Sequence, residues 1–164
     1  MLNSMFTETQ SFRRWIFVLV PLHVLFLVGI YQQVLMNKPF GDNPMPDAGL
    51  FIAEGGMLLL TLFFYSLKLE TIVDDNGISV RFLPIFRSYR IYQWSNIDKA
   101  YVREYSPIIE YGGWGFRSSL KGNGKAWNVS GSSGLQIEMK DGTMFLIGTQ
   151  KPEELTSVLM RYYK

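Results

Sequence analysis

Two long apolar segments, separated by eleven residues, constrain the fold of this 164-residue chain more than any other feature. Residues 15–36 contain no Asp, Glu, Lys or Arg, and residues 48–67 carry a single charge, Glu54. Helices of these lengths reach roughly 33 and 30 Å at about 1.5 Å of rise per residue. That length crosses a hydrocarbon core about 30 Å thick, and neither segment is striped at the helical period. The sequence therefore predicts two transmembrane helices, with two buried helices of a soluble bundle as the alternative.

The charges that flank the apolar segments predict their orientation. Arg13 and Arg14 precede the first segment, and Lys68 directly follows the second. The connecting loop, residues 37–47, holds one Lys against two Asp. Because Lys and Arg favour the cytoplasmic side of a membrane, we expect residues 1–14 to be a cytoplasmic N-terminal segment and residues 37–47 to be a short outer loop. Both termini of the chain are then cytoplasmic.

Several polar and small residues interrupt the two apolar segments and are candidates for contacts between the helices. They are Glu54, Gly55, Gly56, Gln32, Gln33 and His23. An ionisable residue within a span is a candidate for function, but the two glutamines lie at a similar depth, which favours a structural hydrogen bond for Glu54. The paired glycines allow close helix approach. His23 has no evident metal partners, so we expect a packing or interhelical contact rather than a ligand role.

The remaining 97 residues, 68–164, have the pattern of short strands separated by turns. Apolar and polar residues alternate at period two in residues 78–82 and 135–140, and an Asn-Gly pair before the first of these is a strong hairpin signal. Further strands are expected near residues 69–73, 89–93, 99–105, 114–116, 126–129 and 143–148. Pro152 opens an amphipathic helix. The predicted domain is thus an α+β fold, a small antiparallel sheet or barrel capped by one C-terminal helix.

Local motifs in this region resemble those of a known group of proteins. The segment Tyr92–Ile97 is similar to the turn before the fourth strand of small bacterial two-span membrane proteins with a C-terminal pleckstrin-homology-like (PH-like) domain. Tyr111–Arg117 and Ile147–Leu155 are similar to recurring signatures of the same family. The resemblance covers most of the chain. It implies a bacterial inner-membrane protein whose domain, residues 68–164, binds lipids, peptides or proteins, and it carries no agreed catalytic residues to transfer.

Composition and motifs exclude most catalytic chemistry. The chain has no cysteine and one histidine, which excludes a thiol nucleophile, a Cys-based metal site and a three-His zinc site. The glycine-rich stretches match neither a phosphate-binding loop nor a dinucleotide fingerprint. The only histidine lies in an apolar segment, which excludes a Ser–His–Asp relay in the domain. We therefore expect a chain that is not an enzyme and that binds no cofactor or metal.

Basic residues concentrate in the middle of the domain. Residues 81–125 hold eight Lys or Arg against three Asp or Glu, a local net charge of +5. Near an anionic inner leaflet each basic group contributes about 1 kcal/mol of attraction. The candidate lipid- or partner-binding residues are Arg87, Arg90, Trp114, Arg117, Lys121, Lys125 and Trp127. The alternative is an ordinary solvated strand face, and the small net charge and missing reading motif argue against nucleic-acid binding.

Two functions of different classes remain for the chain. In the first, a membrane-anchored, non-catalytic PH-like module docks a protein or peptide partner at the inner membrane face, on an exposed edge strand or in the groove between sheet and helix. In the second, basic loops of the PH-like domain bind anionic lipid headgroups. An accessory role in a larger membrane complex, with Glu54 and the neighbouring glycines at a helix interface, is a third alternative.

Overall fold

A computed structural model describes residues 6–119 and 122–162. The chain divides into two compact units. Residues 12–67 form the helical unit, and the residues up to 11 together with those from 68 onward form the sheet unit. Lys121, one of the predicted binding residues, lies outside the described residues.

The helical unit contains the two predicted apolar helices. A short 3-10 turn, Phe12–Trp15, leads into α1 (Ile16–Ile30), which ends in a π-helical turn, Tyr31–Leu35. A loop then leads to α2 (Asp47–Ser66). Both helical stretches are long and apolar enough to cross a membrane, and few of their residues are buried within the chain. The prediction of two apolar helices is confirmed, with boundaries that differ by a few residues.

Contacts at both ends join the two helices into a hairpin. At one end the Phe12 amide donates a hydrogen bond of 3.4 Å to the Leu67 carbonyl. The Phe12 ring also meets the Phe64 ring edge-on at 6.2 Å. At the other end Gln33 Nε2 donates to Asp47 Oδ1 at 2.6 Å. Since the loop between the helices is short, these contacts limit which faces of α1 and α2 can meet.

In the described residues, nine strands and two helices build the sheet unit. The strands are β1 (Phe6–Ser11), β2 (Lys68–Asp74), β3 (Gly77–Leu83), β4 (Phe86–Gln93), β5 (Ile97–Glu104), β6 (Gly115–Ser118), β7 (Lys125–Asn128), β8 (Ser133–Met139) and β9 (Met144–Gly148). One sheet has the order β1-β2-β3-β4 and the other has the order β5-β8-β9-β7-β6. The helices are α3 (Pro107–Tyr111) and α4 (Pro152–Leu159). Every strand except β1 overlaps one predicted from the sequence.

The expectation of one small antiparallel sheet or barrel is corrected in two respects. Within the part of the chain that the structure describes, the strands form two sheets and no closed barrel. In addition, β7 runs parallel to β9, with Lys125 opposite Phe145 and Trp127 opposite Ile147. Period-two alternation indicates that a segment is a strand but does not identify the strand with which it pairs. Neither feature was therefore readable from the pattern.

The N-terminal segment, expected to be separate from the domain, contributes a strand to it. β1 pairs antiparallel with β2, from Phe6 opposite Val73 to Ser11 opposite Lys68. The hairpin of apolar helices is thus inserted in the chain between two neighbouring strands of one sheet. A domain that begins at Lys68 would lack an edge strand.

Two polar side chains on the inward face of β1 connect it to the second sheet. Glu8 accepts a hydrogen bond of 2.6 Å from Thr149 Oγ1 and one of 2.7 Å from the Gln150 amide. Gln10 Nε2 donates to the Gly148 carbonyl at 2.6 Å. Both side chains are buried, and buried polar groups of this kind need such partners. These bonds therefore give the Glu8 carboxylate and the Gln10 amide nitrogen partners on the inward face of β1.

Apolar side chains of both sheets and of α4 meet in one core. The Phe82 ring of β3 lies 6.4 Å from the Trp127 ring of β7. Other fully buried side chains include Leu69, Val73, Ile78, Val80, Leu135, Ile137, Leu146, Ile147 and Leu155. The buried face of α4 consists of Leu155, Val158 and Leu159. The predicted C-terminal helix and its apolar face are thereby confirmed.

Candidate functional site

An aromatic cluster joins β4, at the edge of the first sheet, to β6, at the edge of the second. The Phe86 ring lies 5.2 Å from Phe116 and 5.1 Å from Trp127, and Phe116 lies 4.6 Å from Trp127. The Arg90 guanidinium stands 5.5 Å from the ring centroids of both Phe86 and Trp127. This distance is within the range of a cation–π contact. One predicted basic residue is therefore held in place by aromatic neighbours.

Trp127 is a core residue, which corrects its prediction as a surface residue that binds a lipid or partner. It is 0% exposed. Its strand, β7, lies between β9 and β6, and rings from β3, β4 and β6 pack around the indole. An enclosed indole cannot touch a membrane or a partner directly. The sequence predicts a short strand at residues 126–129, but a local pattern does not identify the strands that cover it, so the sequence alone did not indicate this burial.

The other predicted binding residues that the structure describes lie at or near the surface, on β4, β6 and β7 and next to β6. Arg87 and Arg90 are exposed on β4, Arg117 is exposed on β6, and Lys125 is exposed at the start of β7. Trp114 is half-buried just before β6, and its carbonyl accepts a hydrogen bond of 3.0 Å from Arg117 Nε. Arg117 and Lys125 thus belong to two short strands, β6 and β7, that pair antiparallel with each other.

A short helix, α3, presents two aliphatic side chains to solvent. Pro107 and Tyr111, four residues apart, take its buried face. Tyr111 packs in a small cluster with Tyr105, Ala126 and Leu146. Because one face of this five-residue helix is turned toward the sheet, Ile108 and Ile109 point outward and are 65% and 68% exposed.

A groove of about 460 Å³ separates α3 from β6. Ile108 and Ile109 line it from α3, and Phe116 and Arg117 line it from β6. Glu110 lines it as well, but the negative charge of its carboxylate is balanced by Arg103. The groove therefore places a surface cation beside aliphatic and aromatic side chains.

The Glu110 carboxylate is bound within the α3 region. It accepts a hydrogen bond of 2.8 Å from Arg103 Nη2 and one of 2.9 Å from the Ser106 amide. Arg103 Nη1 and Asn123 Nδ2 donate two further hydrogen bonds, at 3.3 and 3.4 Å. The hydrogen bonds with Glu110 raise the pKa of Arg103. This ion pair fixes the helix relative to β5 and offsets the negative charge in the groove.

Sequence reasoning missed α3, although the sequence contains start and stop signals for it. Pro107 occupies the first helical position, which proline favours. Gly112 ends the helix with a φ of 71°, a conformation that favours glycine. Two consecutive isoleucines indicate burial on composition alone. Their exposure depends on which face of α3 meets the sheet, and that is a tertiary property.

A second groove, of about 220 Å³, lies between β5 and α4. Among the described strands, β5 is an edge strand that pairs only with β8. The groove is lined by Ala100, Tyr101, Val102, Thr156, Leu159 and Met160. The Tyr101 hydroxyl donates to Glu138 Oε1 at 2.8 Å, and this hydrogen bond raises the pKa of Tyr101. An edge strand beside an apolar groove can accept an extended peptide as a further strand.

Three polar side chains form a cluster between α1 and α2. His23 Nδ1 lies 2.7 Å from Glu54 Oε1, and His23 Nε2 lies 2.8 Å from Thr61 Oγ1. Thr61 Oγ1 donates its own proton to the Met57 carbonyl at 2.9 Å, so it accepts the proton of His23 Nε2. The contact between Nδ1 and Oε1 therefore gives two polar side chains a partner across the helix pair, which suits apolar surroundings.

The other candidates within the apolar segments have different environments from those expected. Gln33 donates to Asp47 near the loop, and Gln32 is exposed, so neither shares the environment of Glu54. Gly55 and Gly56 are also exposed. Apart from the chain neighbours and the nearby backbone of α2, no atom of the described residues comes within 4 Å of a Cβ built on either glycine. The paired glycines therefore do not mediate the contact between α1 and α2.

Comparison with known proteins leaves the functional assignment to the geometry. No protein-family model matches the chain, and no curated protein matches it significantly. Within residues 6–119 and 122–162, no group of three or more His, Asp or Glu side chains is placed to hold a metal ion. The features that bear on function are thus the β5–α4 groove, the basic residues of β4 and β6, the α3–β6 groove and the His23–Glu54–Thr61 cluster.

Proposed function

We propose that this chain is a membrane-anchored, non-catalytic binding module whose PH-like domain docks a protein or peptide partner at the inner face of a bacterial cytoplasmic membrane. The two apolar helices support the anchor, and the flanking Arg13, Arg14 and Lys68 support cytoplasmic termini. The pairing of Ser11 with Lys68 supports the same topology. Both ends of the helical hairpin continue into paired strands, so they belong on one side of the membrane.

The observation that carries the docking proposal is the β5–α4 groove. A strand edge offers backbone donors and acceptors to an added strand, and the groove beside it offers apolar contacts for alternate side chains of that strand. Tyr101 and Met160 are both exposed there. The occupant is therefore an extended, largely apolar segment of another protein.

Site-specific photo-crosslinking in cells tests this proposal. A photoreactive amino acid replaces Met160 in the full chain, and crosslinked products are identified by mass spectrometry. We expect one discrete protein adduct. In a second variant Met160 is kept, the photoreactive group replaces Thr156, and Tyr101→Asp places a charge in the groove. The adduct should disappear in this variant. Ile91 is exposed on β4 of the other sheet, so Ile91→Asp is the matched control that leaves the adduct intact. An adduct that survives Tyr101→Asp, or no adduct, contradicts docking in this groove.

A second candidate function, binding of anionic lipid headgroups, is favoured by the arrangement of arginines. Arg87 and Arg90 lie exposed on β4, and Arg117 lies exposed on β6, whose Phe116 contacts Phe86. Each basic group near an anionic surface contributes about 1 kcal/mol. Removing two of them should weaken phosphatidylglycerol binding by roughly 30-fold, since about 1.4 kcal/mol corresponds to tenfold.

Native mass spectrometry of the full chain in neutral detergent, titrated with phosphatidylglycerol, measures this effect. We expect the Arg87→Ala/Arg90→Ala variant to retain far less lipid than the unmodified chain. Lys140 is an exposed cation in the turn after β8, so Lys140→Ala is the control that should bind as the unmodified chain does. Equal retention by all three proteins would refute headgroup binding by these arginines.

A further inference from the structure

We infer that α3 inserts Ile108 and Ile109 into the apolar boundary of the bilayer surface, with Arg117 beside them binding a lipid phosphate. The α3 surface is defined here by Ile108, Ile109, Phe116 and Arg117. This inference rests on the membrane anchoring proposed above. It adds a second contact between the domain and the membrane, separate from the helical hairpin and from the β5–α4 groove.

The exposure of two adjacent isoleucines is the first observation. Ile108 and Ile109 are 65% and 68% exposed on a folded domain, although isoleucine is among the residues most often buried. Phe116, itself partly exposed, lines the other side of the α3–β6 groove. Large apolar side chains that are exposed around one groove indicate an interaction surface.

The second observation is that α3 is held rigidly in this orientation. Pro107 and Tyr111 are buried, and the Tyr111 hydroxyl donates to the Asn123 carbonyl at 3.1 Å. At the end of the helix, Gly112 and Gly113 donate to carbonyls of its first turn, both at 2.9 Å. The isoleucines cannot turn inward without breaking these contacts. Little conformational freedom is therefore lost when they enter an apolar phase.

Charge identifies the occupant of the α3 surface as a membrane. Arg117 is exposed at the groove, and its Nε donates to the Trp114 carbonyl, which orients the guanidinium. The carboxylate that shares the groove, Glu110, is paired with Arg103 at 2.8 Å. An aliphatic pair with a neighbouring cation matches an interface that is apolar inside and anionic outside.

Chain connectivity supports the same occupant. The turn Phe12–Trp15 follows β1 without a linker, and Leu67 is the single residue between the end of α2 and the start of β2. A domain attached at both ends of an apolar hairpin, with no intervening linker, is confined close to the surface of the bilayer. The bilayer is then present at high effective concentration, because tethering makes the second contact intramolecular.

Depth-dependent fluorescence quenching tests the inference on the full chain. The chain has no cysteine, so Ile108→Cys carries an environment-sensitive dye at one site only. The protein is reconstituted into vesicles of phosphatidylcholine and phosphatidylglycerol that contain nitroxide-labelled lipid. We expect quenching roughly three-fold stronger at position 108 than at Lys140→Cys, because an interfacial helix buries its apolar face about 5–10 Å into the boundary region. We also expect Arg117→Gln to weaken the quenching at position 108.

Three results would overturn the inference. The dye at position 108 could be as accessible to water as the dye at position 140. It could be shielded from water but not quenched by labelled lipid, in which case a protein or a second copy of the chain covers α3. It could be quenched equally with and without Arg117→Gln, in which case Arg117 binds no lipid phosphate there.

A third labelled site separates failure of this inference from failure of the anchor. Leu59 is strongly exposed on α2, so a dye on Leu59→Cys reports insertion of the helical hairpin. Strong quenching at position 59 without quenching at position 108 overturns only the α3 contact. Absence of quenching at position 59 contradicts the membrane anchoring itself.

Discussion

The His23–Glu54–Thr61 cluster makes a specific prediction about the helical unit. The side chains of His23 and Glu54 are each 18% exposed, and their polar atoms lie 2.7 Å apart. His23 bonds two residues of α2 through its two ring nitrogens. Removing these hydrogen bonds should therefore weaken the pairing of α1 with α2. The variants that remove them are His23→Ala, Glu54→Ala, Glu54→Gln, Thr61→Val and the His23→Ala/Glu54→Ala double variant.

The expected magnitudes follow from the number and type of the hydrogen bonds. Interhelical hydrogen bonds in membranes average about 0.6 kcal/mol and reach about 1.7 kcal/mol. The short bond between His23 and Glu54 belongs near the upper end, because bonds to charged groups are roughly twice as strong as neutral ones. Thr61→Val should then cost about 0.6 kcal/mol. His23→Ala should cost about 2 kcal/mol, a shift of roughly 30-fold in the equilibrium between paired and separated helices.

Glu54→Gln separates geometry from charge. A glutamine amide can donate to His23 Nδ1 while His23 Nε2 continues to donate to Thr61. This variant therefore keeps a neutral hydrogen bond to the imidazole in place of the bond to the carboxyl group. We expect Glu54→Gln to lower the free energy of helix pairing by about half as much as Glu54→Ala does.

Resonance energy transfer measures these values in mixed micelles of dodecyl maltoside and sodium dodecyl sulfate. Dyes are attached to cysteines that replace Val18 on α1 and Leu62 on α2, two exposed positions in a cysteine-free chain. Leu59→Ala, on an exposed part of α2, is the control and should leave the equilibrium between paired and separated helices unchanged. The reasoning is refuted if the coupling energy between His23→Ala and Glu54→Ala is indistinguishable from zero, or if Glu54→Gln is as destabilising as Glu54→Ala.

Three further predictions concern the sheet unit. Trp127→Ala should lower its free energy of unfolding by about 3–5 kcal/mol, measured by calorimetry, and a loss below about 1 kcal/mol would contradict the buried position. Burial raises the pKa of Glu70, but hydrogen bonds from Tyr89 and Arg81 outweigh this and leave the pKa below 4.5. The stability that these bonds contribute is present above pH 4.5 and is lost as the pH falls through the folded pKa of Glu70. Glu70→Gln should therefore flatten that part of an acid-unfolding curve. An unchanged curve would contradict the contribution of the Glu70 carboxylate. Glu8→Ala should cost about 2 kcal/mol, since it leaves the buried Thr149 hydroxyl and the partly buried Gln150 amide without their carboxylate. Hydrogen exchange of the β1 amides should accelerate, whereas unchanged protection would argue against the bonds to the second sheet.

Local patterns predicted most of the elements but few of the contacts between them. The charge-free residues 15–36 indicate a helix because only a helix satisfies its own backbone in an apolar environment. Alternation at residues 135–140 indicates β8 because successive side chains of a strand face opposite sides. In β1 the inward positions include Glu8 and Gln10, so the strand does not alternate between apolar and polar residues. Its partners, Thr149 and Gln150, lie about 140 residues away in the chain, and no local pattern reports them.

The candidate sites divide in the same way. The sequence located the basic residues of the domain, because charge is a property of each residue, but it did not separate Arg90, which is exposed, from Trp127, which is enclosed by aromatic rings. It identified Glu54 as unusual within an apolar segment, but it did not identify His23 as its partner. That pairing depends on how α1 and α2 face each other, which is set by contacts at both ends of the hairpin.

By itself, the sequence determined that this chain has two apolar helices and a strand-rich domain, because length, hydropathy and side-chain periodicity act locally. The tertiary structure alone decided that the strands form two sheets, that residues 6–11 complete one of them, and that Ile108 and Ile109 face outward. These properties arise from pairing and packing between segments distant in the chain. Their energy depends on which surfaces meet, and a linear pattern of residues does not contain that information.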